Sequence, residues 1–427
     1  MLRIAFIGAF AFSPKGTMRA RAHPLAAELV KLGHEVTIFL PPYDNPADLG
    51  RVWEQETVRV WNAGSPSRLQ NRANENSAPQ VDGKVSRLNY PRLLLQLLAA
   101  VNHYKPDLIH IFKPKGFAGA AGSYLLLKGN RVVLDCDDWE GWGGWNDVKP
   151  YPLIVKEYID RQERWMMRRA HAVTTASRVL EQRALSLRGQ AGGVYYVPNC
   201  GASTANGELQ TLIRSLSPAE TRRELGLPEG PLVLHSGHFA DEQGLALFLR
   251  SAARVAMEIP MSVVLVGDGA ESPRIQRRFQ SELNASTYFF PSLPYRDFLR
   301  IVWACDIAAF PYPDDSVHRA KCSARIVDYM AMAKPVLTSR VGQNLEYIVD
   351  GESGILVAAG DEDGFARKLE LLLRNPSLRE RLGHRAEARI RAKFQWNGEA
   401  LQNCLAAYEQ VLQPSMRLHL LPVAKAR

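Results

Sequence analysis

Residues 321–357 read KCSARIVDYMAMAKPVLTSRVGQNLEYIVDGESGILV, and their pattern decides the fold. Ile326, Val327 and Met330 recur at helical spacing, which predicts a short amphipathic helix. Pro335 ends that helix, because proline cannot continue it and pushes the preceding residue out of the α region. The apolar runs PVLTS and GILV are typical of short buried strands, and NLEYIVDGESG predicts a second helix between them. This helix–strand–helix–strand order predicts parallel strands joined by helical crossovers.

Polar residues stand where this unit would meet a ligand. Lys321 and Arg325 are four residues apart, so we expect both cations on one helix face near its N-terminus. A helix N-terminus has free N–H groups and partial positive charge, which suit a phosphate. Asp328 follows one turn later. Such an arrangement would suit a ligand with a phosphate and a sugar hydroxyl, whereas these residues alone favour a solvated helix face.

The segment DYMAMAKPVLTS, followed by Glu346 and DGESGILV, resembles the donor-site signature of glycosyltransferase family 4, retaining enzymes with the GT-B fold. The family pattern is Glu, seven residues, Glu, then Ala-Met-Ala and Lys-Pro-Val. Asp328 stands at the second glutamate, and Ala320 stands at the first. The resemblance implies that Asp328 holds the ribose and that Glu346 contacts the donor. Since the family generally needs no metal, cations of the protein must stabilise the departing diphosphate, and our hypothesis assigns this catalytic role to Lys321 and Arg325.

A second segment, HSGHFADEQG (235–244), corresponds to the family's loop after the first strand of the second domain. That loop usually carries an arginine after the glycine and a lysine before the last glycine, and both hold the diphosphate. Here the positions are His238 and Gln243, which are neutral at pH 7. We expect backbone N–H groups near Gly237 and Ser323 to assist. The donor-binding set implied by the resemblance is Gly16, Gly237, His238, Gln243, Ser323, Asp328 and Glu346.

The first half opens with the strand RIAFIG, a helix and the strand HEVTIFLPP, the usual opening of the family. Lys15, Gly16 and Thr17, with Arg19 and Arg21, match the loop that in the family lies over donor and acceptor. An ordinary strand-to-helix turn is equally expected.

Residues 62–90 lack periodicity and predict either an acceptor-side flap or disorder. The helix PRLLLQLLAAVNHYK is apolar over most of its surface, which predicts burial first and a membrane-facing patch second.

The strand PDLIHIF is followed by Lys113, and ligands of parallel sheets bind beyond the carboxyl ends of strands. We therefore predict that Lys113 contacts the acceptor, whereas His110 lies within the strand and is expected to pack in the core.

The segment RVVLDCDDWEGWGGWND (131–147) is the most unusual in composition. The resemblance places Asp137 and Asp138 near the transferred sugar, so we predict a catalytic, orienting role for both. Trp139 and Trp142 are predicted to stack on an acceptor sugar, and packing of a long loop by tryptophans is the alternative. A metal site at Asp135 and Asp137 is discounted, because Asp135 is expected within the strand.

The composition of 427 residues, with a net charge of +9 and a pI near 9.3, predicts two or three domains and acidic partners such as nucleotide phosphates or anionic lipid surfaces. Nucleic acid is not expected, since the cations are dispersed and no recognition motif occurs. The five cysteines are scattered without metal-ligand spacing, which indicates reduced thiols in a cytoplasmic protein. No apolar run is long enough for a membrane helix, so peripheral contact with the inner face of the membrane is the further expectation.

These observations predict an α/β protein of the GT-B fold, with two Rossmann-like, doubly wound parallel-sheet domains facing a central cleft. We expect an acceptor-side domain at 1–201, a linker at 202–228, a nucleotide-sugar domain at 229–395, and a closing helix with a tail at 396–427. The implied activity is metal-independent transfer of a sugar, with retention, from a nucleotide-sugar to a glycan or lipid-linked acceptor, without a cofactor. The alternatives are a degenerate GT-B protein that binds without turnover, which Ala320 favours, and an epimerase, which the signature disfavours.

Overall fold

The structure, a computed structural model, describes residues 1–13, 16–64, 85–189, 192–201, 204–237, 239, 242–269, 272–283 and 285–412. The chain divides into two compact units. The first comprises Met1–Pro198 together with Glu399–Arg427, and the second comprises Asn199–Gly398. Each unit is a parallel sheet with helical crossovers, which confirms the predicted α/β fold class.

The first unit is built on a sheet of eight strands within the described residues, in the order β3-β4-β2-β1-β5-β6-β7-β8. All neighbouring pairs are parallel except β3 with β4 at the edge. The inner strands are apolar along their whole length because both faces of the sheet are covered. The strands are β1 (Arg3–Gly8), β2 (Glu35–Leu40), β3 (Val52–Gln55), β4 (Val58–Asn62), β5 (Leu108–Phe112), β6 (Val132–Cys136), β7 (Ala172–Thr175) and β8 (Val194–Tyr196).

Helices connect these strands, and a π-helical turn over Met18–Ala22 precedes the first of them. The final helix returns to this unit and packs against β6, β7 and β8. The helices are α1 (His23–Lys31), α2 (Tyr90–Tyr104), α3 (Gly116–Leu127), α4 (Trp145–Val148), α5 (Leu153–Arg169), α6 (Arg178–Arg188) and, from the end of the chain, α17 (Leu401–Leu412).

The second unit has a six-stranded, fully parallel sheet within the described residues, in the order β11-β10-β9-β12-β13-β14. Its strands are β9 (Leu232–Ser236), β10 (Ser262–Val266), β11 (Ser286–Phe290), β12 (Ile307–Phe310), β13 (Val336–Ser339) and β14 (Ile355–Val357). Its helices are α7 (Thr204–Ile213), α8 (Pro218–Leu225), α9 (Glu242–Ala256), α10 (Ser272–Glu282), α11 (Tyr295–Ala304), α12 (Ser316–Ala320), α13 (Ala324–Ala331), α14 (Asn344–Tyr347), α15 (Glu362–Arg374) and α16 (Pro376–Lys393).

Two segments differ from the sequence predictions in their local structure. Within 202–228, predicted as a linker with one short helix, the structure has α7 and α8 and groups both with the second unit. Ser217 caps α8 through a reciprocal capping box with Glu220, which explains why this polar stretch is helical. The β3–β4 hairpin was not predicted, although its strands read VWEQ and VRVWN with alternating burial.

Buried polar side chains link α17 to the first sheet. The Tyr408 hydroxyl lies 2.8 Å from Nδ1 of His110, and Nε2 of His110 lies 3.2 Å from Oγ1 of Thr174. Thr174 donates its proton to Asp135, over 2.7 Å, so it accepts from Nε2–H of His110. Nδ1 then accepts from Tyr408. Burial lowers the pKa of His110 to about 4, which keeps the ring neutral as this direction of donation requires.

The helices of the described residues offer no membrane span, since none is both long enough and apolar enough to cross a bilayer. Helix α2 buries Leu93, Leu97, Leu98 and Val101 along one face, as its predicted burial requires. The proposed flap within 62–90 falls largely on residues 65–84, which lie outside the described residues.

We predict that Tyr408→Phe destabilises the first unit by about 1–3 kcal/mol, because Nδ1 of buried His110 loses its donor. The free energy of unfolding in urea measures this effect. The matched control is Tyr195→Phe, whose hydroxyl donates to Gln410 on an exposed part of the same unit. The control should change stability by less than about 0.5 kcal/mol. Equal effects of the two variants would contradict the network.

Candidate functional site

The carboxyl ends of β9, β10 and β12 gather several of the predicted donor residues in the second unit. Helix α13 begins at Ala324, with Ser323 as its N-cap. Lys321 lies before that helix in extended backbone at the end of α12. The prediction that Lys321 and Arg325 share one helix face is therefore wrong. Arg325 alone lies in the first turn of α13.

Arg325 reaches from α13 to the end of β9, where its guanidinium donates to the carbonyl oxygen of Ser236. The next residue, Gly237, leaves room for it, because a Cβ built there would lie 2.5 Å from Nη1 of Arg325. A Cβ on Gly267, whose φ is +151°, would collide with the carbonyl oxygen of Gly237. Glycine at both strand ends therefore allows two backbone loops and one guanidinium to approach closely.

Lys321 and Asp328 have different neighbours in this part of the sheet edge. Nζ of Lys321 lies 5.3 Å above the ring of Tyr312, a cation–π contact. The Tyr295 hydroxyl donates to Oδ1 of Asp328 over 2.8 Å. The Tyr329 hydroxyl and the Ser236 hydroxyl are hydrogen-bonded to each other. These contacts hold α13 against the ends of β9 and the helix α11.

The charges of this edge are not neutralised locally. Among the residues that the structure describes, neither Lys321 nor Arg325 forms a salt bridge with a carboxylate. One contact with Ser236 orients Arg325 without exhausting a guanidinium, which has five N–H donors. The edge can therefore attract an anion.

The remaining predicted donor residues are distributed as follows. Ser323 is buried and its side chain makes no capping bond to α13. Glu346 is half-buried in α14, and its carbonyl oxygen accepts from Arg389 over 2.7 Å. Gly16 is exposed and belongs to the first unit. His238 and the side chain of Gln243 lie outside the described residues.

In the first unit, Lys113 is the centre of an acidic cluster at the ends of β5 and β6. Its ammonium lies 3.1 Å from Oδ1 of Asp137 and 3.3 Å from Oε1 of Glu140, and it donates to Asp138. Lys115 adds a second contact to Glu140 at 2.6 Å. Lys113 is buried and has a φ of +72°, an unusual conformation for a residue with a side chain.

The structure shows Lys113 in contact with carboxylates, and its predicted contact with the acceptor stays a prediction. Burial alone would lower the pKa of the Lys113 ammonium, but Asp137, Asp138 and Glu140 raise it well above its ordinary value. The lysine stays charged and holds these carboxylates in place.

Asp137 is the titratable member of this cluster. Burial raises the pKa of its carboxyl to about 6, an effect that Lys113 opposes and that Asp138 and Asp135 reinforce. The Thr17 hydroxyl donates to Oδ2 of Asp137 over 3.1 Å, which joins the β1–α1 loop to the end of β6. Oδ1 of Asp137 is buried and has no partner with hydrogen-bond geometry among the described residues.

The tryptophans of this loop already have partners. The guanidinium of Arg183 lies 4.2 Å above the ring of Trp139, and Gly143 and Gly144 leave room for the same ring. Nε1 of Trp142 donates to Glu157 over 2.9 Å. These contacts are those of tryptophans packing a loop, so a sugar that stacked on Trp139 would have to share the ring with Arg183.

Asp135 lies in β6, as the sequence predicted, and is committed to Arg21 through two hydrogen bonds of 2.7 and 2.6 Å. Among the described residues, no group of three or more His, Cys, Asp or Glu side chains could hold a metal ion. Sequence reasoning missed Glu140 and Tyr295, and it named Thr17 as part of the β1–α1 loop without its bond to Asp137. Glu140 could have been found, since it is the third carboxylate of the segment DDWE.

Two parallel α/β units agree with the predicted GT-B fold class, and so do the comparisons with known proteins. The family model described as "Glycosyl transferases group 1" matches residues 218–389. The model described as "Glycosyl transferase 4-like domain" matches residues 16–200. The chain belongs to the group 1 glycosyl transferases with the GT-B fold, and the resemblance to glycosyltransferase family 4 is confirmed.

Individual relatives are distant. D-inositol 3-phosphate glycosyltransferase of Frankia alni is 30% identical over 220 residues, which cover 49% of this chain and 52% of that protein. The chain thus spans about half the length of the first curated relatives it matches. Sucrose-phosphate synthase from Thermosynechococcus elongatus superposes with a TM-score of 0.72 at 20% identity, covering 96% of this chain and 99% of that one. Anabaena HepE, crystallised with UDP-glucose, has a TM-score of 0.65 at 15% identity, covering 96% of this chain and 100% of HepE.

We predict that any activity that requires the ionised carboxylate of Asp137 falls as the pH drops through about 6, because Asp137 with its raised pKa becomes protonated there. An ordinary aspartate would stay ionised to about pH 4. The profile of kcat/KM against pH measures this acidic limb, that is, the fall of kcat/KM near pH 6. Asp137→Asn should lower the activity and remove the acidic limb. Asp147→Asn, in the same loop but exposed, is the control and should keep the limb. A limb that persists in Asp137→Asn would refute the assignment.

Proposed function

We propose that this protein transfers a sugar from a nucleotide-sugar to an acceptor hydroxyl with retention of anomeric configuration, in the synthesis of a bacterial glycan or glycolipid. One observation carries the proposal. Arg325 and Lys321 stand near the carboxyl edge of the second sheet without a carboxylate partner among the described residues. In an open parallel sheet this edge is where ligands bind.

The chemical argument concerns the leaving group. Departure of a nucleoside diphosphate develops negative charge on the phosphate oxygens, and preorganised cations lower the barrier by stabilising that charge. A guanidinium binds phosphate oxygens through two parallel N–H donors, and an ammonium acts as a point charge. We assign these parts to Arg325 and Lys321. No metal ion or cofactor is part of this proposal.

The same arrangement accounts for the neutral residues of the 235–244 loop. The family pattern places an arginine directly after the glycine of that loop, where this chain has His238. Arg325 supplies a guanidinium to the same strand end from α13, since it is bonded to Ser236 and lies against Gly237. The diphosphate site thus keeps a cation although the loop has lost its own.

The nucleoside and donor sugar would be held by the neighbouring side chains. Asp328 keeps acceptor capacity beyond its bond from Tyr295 and would accept from the ribose hydroxyls. Glu346 and the backbone N–H groups near Gly237 and Ser323 would contact the rest of the donor. The complex of Anabaena HepE with UDP-glucose supports a nucleotide-sugar as the ligand of this fold.

The first unit would receive the acceptor, either a glycan or a lipid-linked sugar, with peripheral contact to the inner face of the membrane. Asp137 and Asp138 would orient a sugar hydroxyl, and Lys113 would fix both carboxylates. Binding without turnover is the second candidate. It is favoured by Ala320, a buried residue with no polar group where the family has a glutamate.

We expect Arg325→Ala to weaken binding of a nucleoside diphosphate roughly 10- to 100-fold, since a charge-assisted hydrogen bond contributes about 1.5–3 kcal/mol. Calorimetric titration with UDP, ADP and GDP in turn measures the affinity. Arg300→Ala is the control, because this arginine of the same unit pairs with Glu224 on the surface. Affinity that is unchanged in Arg325→Ala would exclude the guanidinium from the site.

We expect the sugar in the product to keep the anomeric configuration of the donor, and EDTA to leave the rate unchanged. NMR of the product, or of the free sugar released by slow hydrolysis, reads the configuration directly.

Lys321→Ala should slow release of the nucleotide by at least about tenfold, which corresponds to an activation free energy higher by about 1.4 kcal/mol. Inversion would refute retention, a loss of rate with EDTA would refute metal independence, and tight donor binding without any turnover would favour the second candidate.

A further inference from the structure

An apolar surface in the first unit remains outside the candidate site. It is formed by the end of α3 and the start of α5, and we name it the α3–α5 apolar face. Ile154 is 79% exposed, Leu127 76% and Leu153 67%. A groove of about 1070 Å³ runs between α3 and α5 beside these side chains. The face consists of Leu127, Leu153, Ile154 and Tyr158, which line this groove together with the charged residues Glu157 and Arg161.

The apolar side chains are held in place by contacts below them. Nδ2 of Asn146 donates to the carbonyl oxygen of Lys156 over 2.7 Å, which fastens α4 to α5. Nε1 of Trp142 donates to Glu157 on α5. Pro150 and Pro152 restrict the backbone between the two helices. Several consecutive exposed apolar residues on an ordered element are unusual unless they serve a function.

Cations border this face and lie against aromatic rings. Lys128 lies 5.7 Å from the ring of Tyr124, Lys149 4.9 Å from that of Trp145, and Lys156 5.4 Å from that of Trp142.

Arg161 on α5 is a fourth cation, with a side chain 81% exposed. Two carboxylates are nearby. Glu157 is engaged by Trp142 and lies 3.5 Å from Arg161, and Asp147 accepts from the backbone of Gly143. Within the part of the chain that the structure describes, these four cations outnumber the two carboxylates, so the border has a net positive charge.

We infer that the α3–α5 apolar face docks onto a lipid bilayer with anionic headgroups. Aliphatic side chains that insert at the headgroup level, with aromatic and basic residues around them, are the pattern of interfacial binding. Each basic residue near an anionic surface adds attraction. A second copy of the chain fits this face poorly, because a two-fold contact would bring the cations of one copy against those of the other.

The face adjoins the acidic cluster. Lys115 binds Glu140 and lies 5.3 Å from the ring of Tyr151, which is in the segment between α4 and α5. Docking would therefore bring the cluster that we assign to the acceptor close to the headgroups. In this respect the inference rests on the proposed function, for which it favours a lipid-linked acceptor. The docking itself does not depend on turnover.

The test is flotation of the full-length protein with vesicles of phosphatidylcholine alone or mixed with phosphatidylglycerol. We expect binding to the mixed vesicles that weakens as salt is added. The double variant Leu153→Asp and Ile154→Asp should reduce the partition coefficient at least about tenfold. The control is Met257→Asp, a solitary exposed apolar residue of the second unit, 73% exposed, which should bind as the unmodified protein does. Circular dichroism verifies that both variants fold.

The inference is overturned if the double variant floats as well as the unmodified protein, or if vesicles without phosphatidylglycerol bind equally well. It is also overturned if light scattering shows a dimer that the double variant abolishes while vesicles bind neither protein. Transfer to a water-soluble acceptor is measured separately. Lost transfer with preserved vesicle binding contradicts only the proposed function, and preserved transfer with no vesicle binding contradicts only the docking surface.

Discussion

The buried ion pair between Arg21 and Asp135 fixes the functional edge of the first unit. Both side chains are almost fully buried, and their two hydrogen bonds form the bidentate geometry that offsets the cost of removing two charges from water. Arg21 lies in the π-helical turn before α1, and Asp135 lies in β6. The pair therefore sets how closely the β1–α1 loop approaches β6, and Thr17 reaches Asp137 as a consequence. Removing either partner would leave the other charged and buried without a counter-ion, which costs more free energy than burying the pair.

The lysines at the end of β5 and the two cations near the carboxyl edge of the second sheet differ in their partners, and this contrast supports the proposed place of the anion. In the first unit Lys113 and Lys115 are bound to carboxylates, so their charge maintains structure. In the second unit Lys321 and Arg325 have no carboxylate partner among the described residues. Positive charge that is already matched cannot attract a phosphate strongly, whereas unmatched charge beside strand-end N–H groups can. The anion is therefore expected at the second sheet and the neutral sugar acceptor at the first.

Much of the fold could be predicted because buried parallel strands are nearly continuous apolar runs, as in RIAFIG and PDLIHIF. The β3–β4 hairpin was not predicted because its strands are half-exposed and because its turn uses Glu56 and Thr57 at positive φ rather than glycine. The site was harder. Lys113 was predicted to meet a ligand, but its partners come from a segment more than twenty residues later, and spacing along the chain carries no information about such a contact. The same applies to Arg325, whose partner Ser236 is 89 residues away.

Two glycines allow Arg325 to reach the end of β9, although 89 residues separate Arg325 from Ser236 along the chain. The guanidinium of Arg325 occupies space that a Cβ at Gly237 would need, and the β10 loop approaches the backbone of Gly237 closely because Gly267 has no side chain. Both glycines therefore belong to the site as much as Arg325 does, although neither contributes a charge. Because α13 delivers the cation, the loop after β9 need not carry one, and neutral residues at 238 and 243 are compatible with a diphosphate site. Helix α13, which carries Arg325, is held against the end of β9 by the bond between Tyr329 and Ser236 and against α11 by the bond from Tyr295 to Asp328.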